Sequence, residues 1–185
     1  METLETDRLI LRLWQVEDVM DMYEYASDLR VGPNAGWPVH EQIETSEKII
    51  EGFIKDKDVY AIVLKSENKV IGSIGLHHIK PDNLEVGQTQ KEIGYVLNPK
   101  YWGKGIIPEA VAATLKYGFE VLKADLIWCC HFSFNENSKR VIKKTGFNFH
   151  DATNKRLPLL DDQEVESLRY LMSRADYFKS KLGAK

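Results

Sequence analysis

The stretch from Tyr95 to Ala110 constrains the fold more than any other part of the sequence. A strand-like run ends at Leu97, a turn with two glycines follows, and an apolar helix begins near Ile106. The first N–H groups of a helix lack acceptors within it, and glycine allows the positive φ angles that turn such groups toward a ligand. Pro108 is tolerated there because the first turn needs no N–H donor at that position. The junction is therefore suited to bind a phosphate or pyrophosphate.

Two familiar phosphate-binding patterns do not fit this turn. A Walker loop needs Gly-Lys followed by Ser or Thr, whereas this chain has Gly103-Lys104-Gly105. A dinucleotide-binding fingerprint needs a third glycine where Pro108 stands, and an acidic residue at the end of the next strand, whereas Asp125 precedes that strand. The sequence also allows a glycine-rich turn that binds no ligand, because short glycine motifs often occur without one.

The rest of the chain predicts a mixed sheet with helices on both faces. Strand patterns occur at 9–13, 59–64, 70–77, 92–97, 126–132, 147–150 and 164–172, and helical spacing occurs at 16–23, 43–54, 106–122 and 135–145. Helices that join strands in the second half require at least one parallel pair. A length of 185 residues suits one domain, residues 1–185. We expect an α/β (α+β) fold with a mostly antiparallel central sheet of about seven strands and about four helices.

Composition excludes several other classes of protein. The net charge of −3 argues against a general nucleic-acid binder. The cysteines, Cys129 and Cys130, are sequence neighbours and cannot form a disulfide framework, which favours reduced thiols. The charged N-terminal segment has no apolar signal-peptide core, and no apolar run is long enough to span a bilayer. We expect a cytoplasmic protein with no membrane or nucleic-acid partner.

A second informative segment follows the predicted strand at 126–132. Asn135 is suited to cap a helix, Ser138 falls three positions later, and Gly146 suits the end of that helix. The helix is strongly basic, with Lys139, Arg140, Lys143 and Lys144. Such a run forms either a solvated face or a surface for phosphate groups, and the sequence leaves both interpretations open.

These segments together resemble the acetyl-CoA-binding motifs of the GNAT N-acetyltransferase superfamily, and most closely those of its RimJ/RimL-type branch, which acetylates ribosomal-protein N-termini. The resemblance spans nearly the whole chain, and the order of the motifs carries it. The matching segments are 5–12, 70–75, 92–95, 101–105, 109–110, 135–138, 146–147 and 170–177.

The resemblance implies the GNAT acyl-CoA N-acyltransferase fold, acetyl-CoA as co-substrate, and no metal. The pyrophosphate is expected on the turn and the start of the next helix, which comprise Lys100, Trp102, Gly103, Lys104, Gly105, Ile106 and Ile107. The pantetheine arm is expected beside Tyr95, Val96 and Leu97, in a gap between this strand and the one at 126–132, with the Val96 N–H facing the thioester carbonyl. The resemblance places Asn135 and Ser138 near the pantetheine and the thiol, and Arg140 near the 3′-phosphate.

The implied reaction is direct attack of an amine on the thioester carbonyl. Glu92 matches a carboxylate of this branch and is the candidate base, with His77 and His78 as rivals. Because His77 and His78 are neighbours in a strand, only one of them can face the cleft. Many superfamily members carry a tyrosine acid where this chain has Ile142, so Ser138 becomes the candidate acid.

The acceptor and one alternative function stay open on the sequence. The acceptor is a protein N-terminus or a small-molecule amine, and the loops at 31–38 and 80–90 are expected to shape its site. Trp37 either contacts the acceptor or packs on the core. A monomer or a homodimer is expected. The alternative is a module that binds acyl-CoA and senses it without turnover, because the tyrosine acid is missing.

Overall fold

The computed structural model describes residues 1–79 and 89–183, and within them an eight-stranded sheet is flanked by six α-helices. The strands are β1 (Leu4–Glu5), β2 (Leu9–Arg12), β3 (Val59–Leu64), β4 (Lys69–His78), β5 (Gln90–Leu97), β6 (Leu126–Phe132), β7 (Asn148–Leu157) and β8 (Gln163–Ser173). The helices are α1 (Val19–Ala26), α2 (Gly32–Ala35), α3 (Ile43–Asp56), α4 (Ile106–Lys116), α5 (Glu136–Lys144) and α6 (Arg174–Gly183). Residues 80–88 of the loop expected at 80–90 lie outside this description.

The sheet is mixed and mostly antiparallel, as the sequence predicts. Its strand order is β1-β2-β3-β4-β5-β6-β8-β7, and β5 and β6 form a parallel pair. The strand patterns at 59–64 and 70–77 are confirmed, and they form the antiparallel pair of β3 and β4. The prediction of about seven strands and four helices is too low, because β1, α2 and α6 were not recognised. The apolar helix is shorter than predicted, since α4 ends at Lys116 and a π-helical turn, Tyr117–Val121, follows it.

Two apolar clusters cover the two faces of the sheet. One joins Tyr60 and Ile62 of β3 to α4 residues such as Val111, and the other joins Val59 and Ala61 to residues of α1 and α3. Because side chains alternate along a strand, these two sets of β3 residues point to opposite faces. The sheet is therefore packed on both sides, and the functional site must lie at an end or a break of the sheet.

Such a break lies between β5 and β6. Their parallel ladder comprises four pairs, from Gln90 opposite Leu126 to Ile93 opposite Cys129. Beyond Ile93, β5 stays paired with β4 as far as Leu97, while β6 stays paired with β8 as far as Phe132. The two strands thus separate at their C-terminal ends. We call this gap, between residues 94–97 and 130–132, the fork.

Candidate functional site

A cavity of about 1130 Å³ lies at the fork. Its walls come from β5 and β6, the glycine turn before α4, the start of α5, and the segment that joins α1 to α3. Predicted site residues that line it are Trp37, Glu92, Tyr95, Val96, Leu97, Trp102, Gly103, Gly105, Ile106, Ile107, Asn135, Ser138 and Arg140. The fold therefore brings together most of the residues selected from the sequence, although they come from four separate segments.

The glycine turn has the geometry that its sequence predicts. Gly103 and Gly105 adopt φ angles of 75° and 72°. A Cβ on Gly103 would meet no atom within 4 Å, so this glycine is required by backbone conformation and not by space. Among the described residues, the five consecutive N–H groups from Gly103 to Ile107 have no acceptor. They lie at the N-terminus of α4, where the helix dipole also favours an anion.

Arg8 holds this turn in place, an interaction that the sequence did not reveal. Its guanidinium donates to the carbonyl oxygen of Lys104 at 2.9 Å and is held by Glu109, with 2.7 Å from Nε to Oε2. Glu109 also accepts hydrogen bonds from the Thr6 hydroxyl and the Arg8 N–H. Burial opposes the ionised form, but these donors prevail and keep the pKa of Glu109 below its usual range. The segment Thr6–Arg8 therefore fixes the turn to the first turn of α4.

The expected role of Lys100 in pyrophosphate binding is not supported. Its N–H donates to Asn98 Oδ1 at 3.0 Å, and its ammonium donates to Glu24 at 2.7 Å. Lys104 Nζ lies 5.1 Å from the centre of the Tyr101 ring, and neither lysine lines the cavity. The Lys104 N–H stays available in the turn, so only its backbone matches the expectation.

The expected role of the Val96 N–H is contradicted by the strand register. Asn98 donates to the Ile71 carbonyl at 2.8 Å, and the ladder continues from there without irregularity. Because hydrogen-bonded pairs alternate in an antiparallel ladder, Val96 and Ser73 form such a pair and the Val96 N–H points to β4. The N–H groups of Tyr95 and Leu97 point to the fork instead. Accordingly, the Leu97 carbonyl accepts from Trp102 Nε1 at 2.8 Å on that side.

Tyr95 and Ser138 join the two walls of the fork. Their hydroxyl oxygens are 2.9 Å apart. Ser138 is positioned by Asn135, whose Oδ1 accepts from the Ser138 N–H at 3.0 Å as the N-cap of α5. Burial, with a smaller effect from Cys129, raises the pKa of Tyr95, so its hydroxyl stays protonated and can donate. The sequence predicts Tyr95 only beside the pantetheine, because a strand residue gives no sign of a partner 43 positions away.

The basic helix α5 divides its charges between two surroundings. Lys139 pairs with Glu136 at 2.7 Å, while Arg140 is exposed at the cavity edge. Ile142 is 1% exposed and belongs to the apolar cluster under the sheet, so no polar group occupies that position. The basic run is therefore partly a solvated face and partly a wall of the cavity.

Glu92 lies on the opposite face of the sheet from Tyr95, beside Cys130. Burial first, and then the charge of Glu92, raise the pKa of Cys130 to about 12, so this thiol is not an activated nucleophile. His77, directly opposite Glu92 on β4, also lines the cavity. His78 faces away and contacts Lys91, with 2.6 Å between His78 Nε2 and Lys91 Nζ. One histidine of the pair therefore faces the cleft, as expected.

Trp37 packs on the core, which is one of the two roles that the sequence left open, and it also lines the cavity. It is half-buried against the cluster of α1 and α3, and its ring centre lies 5.2 Å from that of His40. The segment before it crosses the mouth of the fork, because the Asn34 carbonyl accepts from Asn135 Nδ2 at 3.1 Å. This contact places the α1–α3 connection over the cavity.

Comparison with known proteins agrees with this geometry. Residues 8–148 match the family profile described as an acetyltransferase (GNAT) domain. YoaA of Bacillus subtilis (strain 168), named an uncharacterized N-acetyltransferase, is 31% identical over 149 residues, which cover 78% of this chain and 81% of YoaA. These matches confirm the resemblance found in the sequence.

Solved structures agree in fold. An acetyltransferase (GNAT family) from Bacillus anthracis aligns with a TM-score of 0.82 and 28% identity, covering 94% of this chain and 99% of that one. The ribosomal-protein-S5-alanine acetyltransferase from Vibrio fischeri aligns with a TM-score of 0.72 and 21% identity, covering 95% of this chain and 98% of that one. At this identity the likeness is one of fold alone. Among the residues that the structure describes, no helix is long and apolar enough to cross a membrane.

Proposed function

The chain belongs to the GNAT acetyltransferase family, and from this premise we propose that it transfers the acetyl group of acetyl-CoA to a primary amine by direct attack in a ternary complex. One observation carries the proposal. A single cavity connects Gly103, Gly105, Ile106 and Ile107 of the glycine turn, through the fork, to the Glu92 side chain. An anion site, a slot beside an open strand edge, and a carboxylate thus lie in the order in which the reaction needs them.

The co-substrate fits this cavity in two respects. The pyrophosphate suits the unpaired N–H groups from Gly103 to Ile107 at the start of α4. The pantetheine arm carries amide groups, which suit the unpaired edge of β5 at Tyr95 and Leu97. We assign the 3′-phosphate to Arg140, because its charged side chain is exposed at the edge of the cavity.

The thioester carbonyl gains negative charge when the amine attacks. A backbone N–H directed into the fork can stabilise that charge without reorganising. The strand register offers Tyr95 for this role in place of Val96. The site thereby supplies an oxyanion donor from the rigid part of the sheet.

The amine must lose protons, and the thiolate must gain one. An alkylamine has a pKa of about 10 and an α-amine about 8, so both arrive mostly protonated near neutral pH. Glu92 acts as base, directly or through a water, because it is the carboxylate that lines the cavity beside the fork. Ser138 donates to the departing thiolate, with Tyr95 hydrogen-bonded behind it.

The acceptor is an amine of a protein N-terminus or of a small molecule. The acceptor half of the cavity is lined by Trp37, Phe132 and Leu157 as well as by Glu92. Such a lining suits an ammonium group attached to an apolar body. Resemblance to the RimJ/RimL-type branch supports a protein N-terminus, whereas one fold serves many acceptors.

A panel assay tests the proposal. Acetyl-CoA is mixed with the protein and with N-terminal peptides, amino acids, polyamines or arylalkylamines, and the free thiol is recorded with a chromogenic disulfide. We expect amine-dependent thiol release. We also expect a product about 42 Da heavier than the amine, because an acetyl group replaces one hydrogen on nitrogen. Thermal stabilisation by CoA without thiol release from any amine would instead favour the acyl-CoA-sensing module.

A further inference from the structure

His77 is held in a defined orientation by a carboxylate. Its Nδ1 lies 2.7 Å from Asp58 Oδ2. Because an ionised carboxylate only accepts hydrogen bonds, Nδ1 is the donor of this pair, and in the neutral imidazole Nε2 carries the lone pair. Asp58 is itself fixed next to β3, since its carbonyl accepts from the Leu76 N–H at 2.9 Å.

Two glycines make room for the imidazole ring on the cavity side. A Cβ on Gly75 would lie 2.2 Å from His77 Nε2, and a Cβ on Gly94 would lie 3.9 Å from the same atom. Gly75 and Gly94 are paired across β4 and β5, two residue pairs closer to the fork than His77 and Glu92 and on the same face of the sheet. The ring therefore leans toward the fork, and its basic nitrogen lies over the bare backbone beside Tyr95.

Glu92 lies on the same face, directly opposite His77. Facing residues of adjacent strands project to the same side of a sheet. The Glu92 carboxylate and His77 Nε2 thus border the same glycine-lined space above Gly94, at the point where the fork opens. The structure holds two proton acceptors around this space.

The proton balance of the proposed reaction calls for two acceptors. An ammonium R-NH₃⁺ has three protons on nitrogen and the amide product has one. One proton leaves before attack, which frees the nitrogen lone pair, and the second leaves after the C–N bond has formed. The C–S bond then breaks and the thiolate takes a proton from the acid. Of the two protons held by the acceptors, one returns to the acid through solvent and the other is released to solvent. A single carboxylate cannot take both protons within one turnover without releasing the first.

We propose that His77, oriented by Asp58, takes the first proton from the acceptor ammonium, and that Glu92 takes the second. This assignment rests on the proposed acetyl transfer and deepens it. Imidazole is a stronger base than a carboxylate, so it is the better group to deprotonate a free ammonium. Glu92 holds the incoming ammonium by its charge, and its side chain at the fork is placed for the second step.

Replacing His77 tests the assignment against a matched neighbour. His77→Gln should lower kcat roughly 10²-fold with basic amines, in the range of general-base effects, and leave the KM for acetyl-CoA unchanged. His78→Gln should keep wild-type rates, because His78 faces away from the cavity. Gly75→Ala keeps the His77 imidazole, but the added Cβ displaces it. The kcat of this variant should therefore fall as it does in His77→Gln.

The basicity of the acceptor separates a proton-transfer role from a structural one. Methoxyamine is neutral at the assay pH and needs to lose only the second proton, so the defect of His77→Gln should nearly disappear with it. In His77→Ala, added imidazole should restore the rate with basic amines by occupying the vacated space. A His77→Gln defect that is equal for methoxyamine and basic amines, or a His77→Ala variant that binds CoA but gains nothing from imidazole, overturns the assignment.

The same measurements separate this inference from the proposed function. If the wild-type protein transfers acetyl groups and His77→Gln does so at the same rate, the role of His77 is wrong and acetyl transfer stands. If the wild-type protein releases no thiol with any amine, methoxyamine included, acetyl transfer itself fails. Stabilisation by CoA, measured on every variant, shows that the site is folded in each case.

Discussion

The hydroxyl groups of Tyr95 and Ser138 form a hydrogen bond of 2.9 Å that joins β5 to α5 across the fork. The bond links the two walls between which the thiol of the co-substrate is expected to lie. In the position where many superfamily members carry a tyrosine, this chain has the buried Ile142. In the proposed mechanism, the hydroxyl pair on β5 and α5 replaces the donor that is absent at this position.

The first prediction concerns this pair. Ser138→Ala should lower kcat at least about tenfold at saturating acetyl-CoA, because the thiolate loses its donor. Tyr95→Phe should have a smaller effect, and the double variant should lose less than the product of the two single effects, since both act through one hydrogen bond. Steady-state kinetics of all three variants measure the coupling. Full turnover of Ser138→Ala would remove Ser138 from the acid role.

The second prediction concerns the 3′-phosphate. Arg140→Gln should weaken CoA binding about tenfold, the worth of one charge-assisted hydrogen bond to phosphate. It should leave the affinity for 3′-dephospho-CoA unchanged. Titration calorimetry with the two ligands measures the difference. Lys139→Gln is the control, because its ammonium is paired with Glu136, and an equal loss in both variants would indicate only general charge attraction.

The third prediction concerns the glycine turn. Gly105→Ala should lower the free energy of unfolding by about 1 kcal/mol, because an L-residue disfavours the φ angle of 72° found there. It should also weaken CoA binding by shifting the N–H groups of the turn. Gly52→Ala is a control of opposite sign, since Gly52 lies within α3 with open space around its Cβ, and alanine favours a helix. Denaturant unfolding of both variants, with and without CoA, checks the pair.

The fourth prediction concerns pH. Hydrogen bonds from Lys100 and Lys69 lower the pKa of Glu24 from 4.5 to about 2. The folded state therefore favours the ionised form, and the stabilisation is complete above the unfolded value and is lost as the pH falls from about 4.5 toward about 2. The difference in free energy of unfolding between wild type and Glu24→Gln should be largest near neutral pH. It should decrease toward zero as the pH falls from about 4.5 toward about 2. Glu51→Gln, at an exposed position on α3, is the matched control and is measured over the same pH range.

The elements that carry the site could be predicted because their signals are local. The glycines of the turn, the strand before it and the cap at Asn135 each follow from a few neighbouring residues. The missed elements have weak local signals. Strand β1 has two residues and exists through its pairing with β2, and α2 contains Gly32 and Pro33, which usually mark a loop.

The contacts that complete the site could not be predicted, because they join distant parts of the chain. Arg8 meets Glu109 across 101 positions, and the pairing of His77 with Asp58 depends on the register of β3 against β4. The direction of the Val96 N–H likewise depends on ladder parity, which a one-residue change of register would reverse. Residue types alone therefore locate strand β5 correctly, but they do not show which of its N–H groups faces the fork.

The separation of β5 from β6 would also make a co-substrate bound in the fork a structural component of the sheet. The strands from β1 to β5 and the group of β6, β8 and β7 are connected within the sheet by four residue pairs. The amides of a bound pantetheine arm would extend this short β5–β6 ladder as a substitute strand. The sheet should therefore become more rigid when the co-substrate is bound. Amide hydrogen exchange at Tyr95 and Leu97 would then slow on loading, and product departure would reopen two sheet edges inside the protein.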